Sequence, residues 1–259
     1  MKRIFREKIK SCLLVLLGIS ALLLPVAAAE IHVSPLGADT NPGTAARPLA
    51  SLATAQMAAR KLAGHELVIV LLDSGVYYLP DTLKFSAADS GTEQCPVIYA
   101  AAPDAKPVIS GGRKLTLDWI PLTNGIFEAK TPAGLVMDQL FVNGECQQMA
   151  RYPNFDLKAK YFDGYAANVI AQRQACWADP PGGYFHAMHP YLWGDFSWRL
   201  TGKEQDGQVT MVGGWQNNRG GGGPSSKIQY VENIREELDA PGEWFYDARA
   251  GALFYIPPA

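Results

Sequence analysis

The sequence has 259 residues, of which 48% are hydrophobic and 10% are aromatic. That composition is ample for a folded core and excludes an intrinsically disordered chain. The 23 Lys and Arg residues against 25 Asp and Glu residues give a formal net charge of −2, and no basic cluster occurs after the first ten residues. The chain is therefore a poor candidate for binding nucleic acid.

Residues 1–29 have the pattern of a secretory signal peptide. Five basic residues flank the start of a short apolar run, Cys12 to Leu24, and three alanines suit cleavage before Glu30. The run is short for a membrane span, which needs about 20 apolar residues. We predict a protein exported to the periplasm or the extracellular space, with no membrane span in its mature chain. That mature chain carries 18 basic and 24 acidic residues.

Three cysteines follow the signal: Cys95, Cys146 and Cys176. Export permits one disulfide, and the odd number leaves at least one thiol outside it. The spacing matches no Cys-x-x-Cys metal site. We favour buried free cysteines over a disulfide.

The mature chain opens with a strand, a dense turn and a helix. Glu30 to Ser34 alternates as a strand, and a helix is predicted over Pro48 to Ala63 with Ser51 as its N-cap. In the turn between them, Asp39 and Asn41 are predicted to bond to nearby backbone rather than to bind calcium. The apolar face of the helix comprises Leu49, Leu52, Ala55, Ala59 and Leu62. The opposite face carries Gln56, Arg60 and Lys61.

Short strands separated by turn formers fill the next stretch. Leu67 to Leu72 is a continuous apolar run, typical of a strand buried on both faces. No long helix intervenes, which excludes Rossmann and TIM-barrel arrangements and leaves a sandwich, a barrel or a β-solenoid. A single helix before irregularly spaced strands favours the solenoid, with the helix covering its open end. Further strands are predicted at Val76–Leu79, Thr82–Phe85, Pro96–Ala101 and Pro107–Ile109.

Two Asn-Gly pairs predict β-hairpins, because both central residues of a type I′ turn need positive φ. The first pair is Asn124-Gly125, inside Trp119–Lys130. The second is Asn143-Gly144, inside Asp138–Asn154. Arg151 leaves this second hairpin and could clamp a carboxylate or brace a domain junction; we favour bracing.

Several segments carry a resemblance to a known enzyme family. The run IHVSPLGADTNPGTAARPLASLATA resembles the start of secreted right-handed parallel β-helix proteins of the pectate-lyase-like superfamily. The segment LFVNGECQQMARYPN and the run ELDAPGEW are similar to segments of β-helix glycoside hydrolases, in particular family 141. The resemblance covers nearly all of the chain after the signal peptide.

The resemblance implies an all-β fold. It consists of the start of a right-handed parallel β-helix with an N-terminal capping helix, plus an inserted β-sandwich or barrel-like domain. We predict a cap and first coils over 30–150, the insertion over 151–245, and a return strand over 246–259 that leads into a truncated β-helix. In the resembled families the catalytic carboxylates lie on later coils. We therefore assign no catalytic residue to this chain and expect no cofactor or metal.

The second half is rich in tryptophan, and we predict that it contacts sugar. Indole faces stack on the C–H faces of sugar rings, although a single Trp is more often a core residue. Trp193 and Trp215 are the best candidates, since each lies beside hydrogen-bonding side chains. Two histidines lack a third metal ligand of defined spacing and suit hydrogen bonding instead. The predicted substrate-binding residues are His186, His189, Trp193, Asp195, Trp215, Asn217 and Arg219.

Glycosidic hydrolysis needs two carboxyl groups about 5 Å or about 6.5–9.5 Å apart. The sequence offers candidates but no distances. The Glu-Glu-Leu-Asp run is interpreted as a solvated face plus a cap. The carboxylates considered are Asp179, Asp195, Glu236, Glu237 and Asp239.

The predicted function is that of the N-terminal portion of an exported glycoside hydrolase, with a polysaccharide or oligosaccharide as its partner. Two alternatives stay open. A polysaccharide lyase would need calcium or clustered Arg and Lys to neutralise a uronate, and the sequence shows no such cluster. A non-catalytic carbohydrate-binding or adhesin-like module fits this chain as well. The sugar, the stereochemical outcome and the oligomeric state are left open.

Overall fold

A computed structural model of the chain describes residues 28–215 and 223–258. Within these residues the fold is mostly β, with several sheets and the helices α1 (Leu52–Leu62) and α2 (Val169–Arg173). Neither helix is long and apolar enough to cross a membrane. Nearly all of the predicted signal peptide lies outside the described residues. The chain divides into two compact units, Met1–Leu115 and Thr116–Ala259.

The first unit is built from parallel strands. β1 (Ala29–Val33), β2 (Val68–Leu72) and β4 (Val97–Ala101) form one sheet in the order β1-β2-β4, and both pairings are parallel. β3 (Gly75–Tyr78) pairs in parallel with β5 (Pro107–Ser110). No complete β-helix is present in the described residues, so the predicted solenoid and its domain boundaries stay predictions.

Strand β2 lies at the centre of the first core. Val68, Val70 and Leu72 are buried, whereas Ile69 and Leu71 between them are half-buried. The strand is therefore fully covered on one face only, and the prediction of burial on both faces is confirmed in part. The buried residues of this core are Ile31, Val33, Leu49, Leu52, Ala55, Ala59, Val68, Val70, Leu72 and Tyr77.

Helix α1 begins where its cap predicts. The Ser51 side chain accepts a hydrogen bond from the Thr54 N–H. The Asp39 carboxylate accepts from the N–H groups of Ala50 and Ser51 at 3.0 and 2.8 Å, which confirms the predicted turn bonding. One residue departs from the predicted face: Gln56 is buried, and its amide donates to the Lys84 carbonyl at 2.8 Å.

The strand predicted at Thr82–Phe85 is wrong. This segment is irregular and leads into a single 3₁₀ turn, Ala87–Asp89. The Ser86 side chain and the Asp89 carboxylate cap that turn reciprocally. Arg60 donates two hydrogen bonds to the same carboxylate at 2.8 and 2.9 Å. The long-range ion pair and the cap fix the turn that directly follows the segment predicted as a strand.

The second unit contains two larger sheets. Their strands are β6 (Ile120–Pro121), β7 (Phe127–Lys130), β8 (Leu140–Val142), β9 (Glu145–Met149), β10 (Arg151–Tyr152), β11 (Tyr184–Met188), β12 (Asp195–Lys203), β13 (Val209–Gly213), β14 (Gln229–Glu232), β15 (Glu243–Asp247) and β16 (Ala252–Tyr255). The first sheet has the strand order β6-β7-β16-β15-β9-β8, and the second has the order β10-β14-β11-β12-β13. Asn143 and Gly144 have φ of 53° and 85°, and Asn124 and Gly125 have φ of 58° and 73°, so both predicted Asn-Gly hairpins are confirmed.

The three described cysteines are all free thiols. Cys146 and Cys176 are exposed and Cys95 is half-buried. The prediction that the free cysteines are buried is therefore wrong. Cys146 lies in the short hairpin strand β9 and Cys176 ends a 3₁₀ turn, and both side chains lie at the surface rather than in a core.

Candidate functional site

The five-stranded sheet of the second unit has two chemically different faces. Side chains alternate between the faces of a β-strand. One face is closed: it packs against α2, Trp177 and Ile234 in a buried cluster. The other face is open, with exposed or half-buried side chains from three neighbouring strands. We call it the open face; its residues are Tyr184, His186, Ser197, Arg199, Tyr230 and Glu232.

His186 lies at the centre of the open face. The strand register places it opposite Ser197 on β12 and opposite Tyr230 on β14. Its Nδ1 lies 3.0 Å from Ser197 Oγ, and its Nε2 lies 3.0 Å from Glu232 Oε1. A carboxylate can only accept, so Nε2 carries a proton and the Nδ1 of the neutral ring accepts from the Ser197 hydroxyl. The imidazole also stacks on the Tyr230 ring, at 4.4 Å between centroids and 10° between planes.

Arg151 closes one edge of the open face. Its guanidinium lies 4.5 Å from the centroid of the Tyr230 ring. It donates to the carbonyls of Pro153, Phe162 and Gly164 at 3.0, 2.8 and 2.8 Å. Burial lowers the pKa of Arg151 from its ordinary value, and burial raises that of Tyr230. Arg151 therefore braces the loop that follows β10, and its hydrogen bonds among the described residues go to carbonyls rather than to a carboxylate.

An aromatic stack stands at the end of the same sheet. The His189 ring lies between Trp193, at 5.0 Å and 10°, and Phe196, at 5.9 Å and 14°. His189 is fully buried, while 56% of Trp193 is exposed. The His189 Nδ1 accepts from the Tyr191 N–H at 3.1 Å. The structure thus places His189 beneath Trp193 as its support, so that Trp193, not His189, presents a surface to a ligand.

The predicted substrate-binding residues other than His189 fall into three groups. Trp193 and Asp195 lie at the start of β12, and Trp215 follows the end of the adjacent, antiparallel β13, so all three leave the same end of the sheet. Trp215 is 83% exposed. His186 lies further along the open face. Asn217 and Arg219 lie outside the described residues.

The tryptophans of the second unit differ in exposure, and this separates surface side chains from core side chains. Trp177 and Trp244 are each 1% exposed and lie in two different hydrophobic clusters. Trp193 and Trp215, which the sequence singled out by their polar neighbours, are the two most exposed. Their contact with sugar stays a prediction.

The solvated-face interpretation of the Glu-Glu-Leu-Asp run is wrong for Glu237. This side chain is 1% exposed on the closed side of the sheet. Arg173 donates to both of its oxygens, at 3.0 and 2.6 Å, and Trp177 Nε1 donates at 2.5 Å. A 3₁₀ turn, Arg235–Glu237, points the carboxylate inward. Its charge is balanced by an arginine 64 positions away in the chain, which no local pattern reveals.

Three of the other carboxylates that the sequence offers form contacts typical of structural roles. Glu236 accepts from the Ala178 N–H at 2.8 Å. Asp239 accepts from the Asn154 amide at 3.0 Å. Asp179 forms an exposed ion pair with Arg249.

Glu243 is a buried carboxyl group that the sequence did not single out. It is 2% exposed, and its Oε2 accepts from the N–H groups of Asp239 and Ala240 at 3.1 Å each. Its Oε1 has no hydrogen-bond partner among the described residues. Burial raises its pKa to about 7. In the sequence, the burial of this side chain is indicated only by its position between a Pro-Gly turn and an apolar strand.

Sequence reasoning also missed most of the open face. Ser197, Tyr230, Glu232 and Arg199 were not proposed as site residues. A signal exists: polar or aromatic residues alternate with apolar ones in the segments YFH, SWR and YVE, which predicts one polar face on each strand. Among the described residues no group of three or more His, Cys, Asp and Glu side chains could hold a metal ion.

Comparisons with known proteins identify the fold. A solved structure described as "Glycoside hydrolase" matches with a TM-score of 0.68 and 24% identity, over 88% of this chain and 43% of that one. A second, "The complex structure of XylC with xylose", gives a TM-score of 0.33 at 15% identity, over 84% of this chain and 33% of that one, too low to support an argument. No protein-family model and no curated protein matched. This chain therefore shares the fold of a glycoside hydrolase structure and spans less than half of its length.

Proposed function

We propose that the chain is the N-terminal part of an exported carbohydrate-active enzyme, a β-helix glycoside hydrolase related to family 141, and that its second unit binds polysaccharide. The observation that carries this proposal is the exposed Trp193, held flat on a buried aromatic stack in a chain with the fold of a glycoside hydrolase structure. An indole that is already fixed in position loses little conformational entropy when a sugar ring stacks on it.

The polar residues beside this platform suit recognition of sugar hydroxyls. Binding sites combine apolar surface with a few well-placed polar groups that fix orientation. Asp195 begins β12 next to Trp193, and the His186, Ser197 and Glu232 side chains continue along the open face. These side chains alternate between hydrogen-bond acceptors and donors, which suits a ligand whose hydroxyl groups both donate and accept hydrogen bonds.

For this chain the proposed role is binding, and no described carboxylate is assigned to glycosidic hydrolysis. The paired positions that such hydrolysis requires would face one another across a cleft. Here the Glu237 carboxylate forms an ion pair with Arg173, and the Asp179 carboxylate forms one with Arg249.

The proposal is tested by affinity electrophoresis of the purified mature chain in gels that contain single plant polysaccharides: xylan, pectin, galactan and glucomannan. Retardation by at least one of them is expected, and it should be relieved by soluble oligosaccharides of the same polymer. Unchanged mobility in every gel, from a chain that unfolds cooperatively, would contradict the proposal.

A further inference from the structure

Ser197, His186 and Glu232 form a hydrogen-bonded line across three adjacent strands, β12, β11 and β14. Each of the two hydrogen bonds is 3.0 Å long. We propose that this line is a second, hydrolytic site that cleaves small acyl esters from sugar hydroxyls, with Ser197 as nucleophile, His186 as general base and Glu232 as the group that orients the base. This activity goes beyond the proposed binding role and does not require it.

The three residues meet the geometric requirements of such a site. A serine nucleophile must lie within about 2.6–3.2 Å of its base, and the base must be held by a third group. Ser197 is exposed, so a substrate can reach it. The His186 and Glu232 side chains are 13% and 24% exposed, so the base and its partner are sheltered beneath the nucleophile.

The surroundings fix the orientation of the base. The Tyr230 ring, stacked at 4.4 Å, prevents the imidazole from rotating away from Ser197. Tyr230 is itself held by the Arg151 guanidinium, 4.5 Å from its centroid, and by Phe162 at 4.9 Å. A base that is already aligned needs no reorganisation at the moment of reaction.

The neighbouring strand holds the backbone of Ser197 in place. β13 ends at Gly213, and the N–H of the next residue, Gly214, donates to the Ser197 carbonyl at 2.8 Å. A Cβ at Gly213 would lie 2.5 Å from that carbonyl oxygen, so the close approach of the strands requires glycine. The backbone that carries the nucleophile is therefore fixed from the side of β13.

Arg199 can stabilise the charge that develops on the substrate. It lies on the same face of β12, two residues from Ser197, at about 7 Å from the strand rise. A guanidinium on its flexible stem spans that distance and offers several N–H donors to an oxyanion.

The reaction proceeds in two balanced steps. The Ser197 oxygen attacks the ester carbonyl carbon while its proton passes to His186 Nδ1; the bond to the sugar oxygen breaks, and that oxygen takes the proton from His186. A water molecule then gives a proton to His186 and adds to the acyl-serine. Release of the acid returns the proton to Ser197. The net reaction is ester plus water giving sugar alcohol plus carboxylic acid.

The test is hydrolysis of p-nitrophenyl acetate, and release of acetate from acetylated xylo-oligosaccharides, by the mature chain. Ser197→Ala and His186→Asn should each lower kcat/KM by at least about 10²-fold. Thr201→Ala is the matched control. Thr201 lies on the same strand and bonds to Thr210 at 2.8 Å, so its loss should leave the rate unchanged.

A second readout does not depend on the choice of ester. A fluorophosphonate probe should add to Ser197, identified by peptide mass spectrometry, and the adduct should be lost in His186→Asn while the variant melts at the wild-type temperature. A wild-type rate equal to that of Ser197→Ala, or a folded chain without the adduct, would overturn the proposal. Polysaccharide retardation measured on the wild-type chain reports separately on the proposed binding function, because esterase activity and binding can each be present without the other.

Discussion

The closed and open faces of the five-stranded sheet each hold a glutamate in a hydrogen-bonded network, and the two networks differ in where they end. Glu237 on the closed side is 1% exposed and accepts from the buried Trp177 and the half-buried Arg173, so its network ends in groups that hold the fold together. Glu232 on the open face bonds to His186, whose other nitrogen bonds to the exposed Ser197. The same residue type stabilises the fold on one side and remains available for chemistry on the other.

The largest expected effect comes from removing the closed-face carboxylate. Glu237→Ala leaves the Arg173 guanidinium and the Trp177 N–H without their acceptor. Breaking a buried pair costs about 3–5 kcal/mol, so the midpoint of urea unfolding should fall sharply. Glu232→Gln, the open-face counterpart, should cost less than about 1 kcal/mol because its pair is partly solvated. Equal losses of unfolding free energy in the two variants would show that both glutamates contribute equally to stability.

Glu243 differs from both of these glutamates, because it is a buried carboxyl group without a cationic partner. Burial raises its pKa from 4.5 to about 7. Between these values the folded chain keeps a proton that the unfolded chain has lost, so the free energy of unfolding should fall as pH rises. The expected loss is about 3 kcal/mol, fully present by pH 8.

The variant Glu243→Gln isolates this effect. It should abolish most of the decline seen by urea unfolding between pH 4.5 and pH 7, since glutamine stays neutral throughout. Glu204→Gln, at an exposed position, is the matched control and should leave the pH profile as it is. If the free energy of unfolding of Glu243→Gln still falls with pH as in the wild type, another titrating group is responsible for the pH dependence.

What the sequence predicts well here is local. The Asn-Gly hairpins, the Ser51 cap and the turn bonding of Asp39 depend on residues close together in the chain. The exposure of Trp193 and Trp215 was also readable, because hydrogen-bonding residues flank both.

What the sequence did not reveal depends on contacts between distant segments. The local sequence around Glu237 predicts a surface residue, because its partner Arg173 lies 64 positions away in the chain and meets it only in the folded structure. His186 meets Ser197 and Glu232 only because strands 11 and 46 positions apart pair in register. The sequence predicts that His189 contacts a ligand. In the structure its ring is stacked with Trp193 and Phe196, so it supports Trp193 from below.

The most direct test of the account is the affinity of the mature chain for its preferred oligosaccharide, measured by isothermal titration calorimetry for the wild type, Trp193→Ala, Trp215→Ala and the double variant. Each lost stacking surface should weaken binding about tenfold, which corresponds to about 1.4 kcal/mol. Trp198→Phe is the control: Trp198 is half-buried and stacks on Phe196 at 5.6 Å between centroids, and this variant should bind within about twofold of the wild type. Wild-type affinity in the double variant would show that the sugar binds elsewhere and that Trp193 and Trp215 do not form the binding surface.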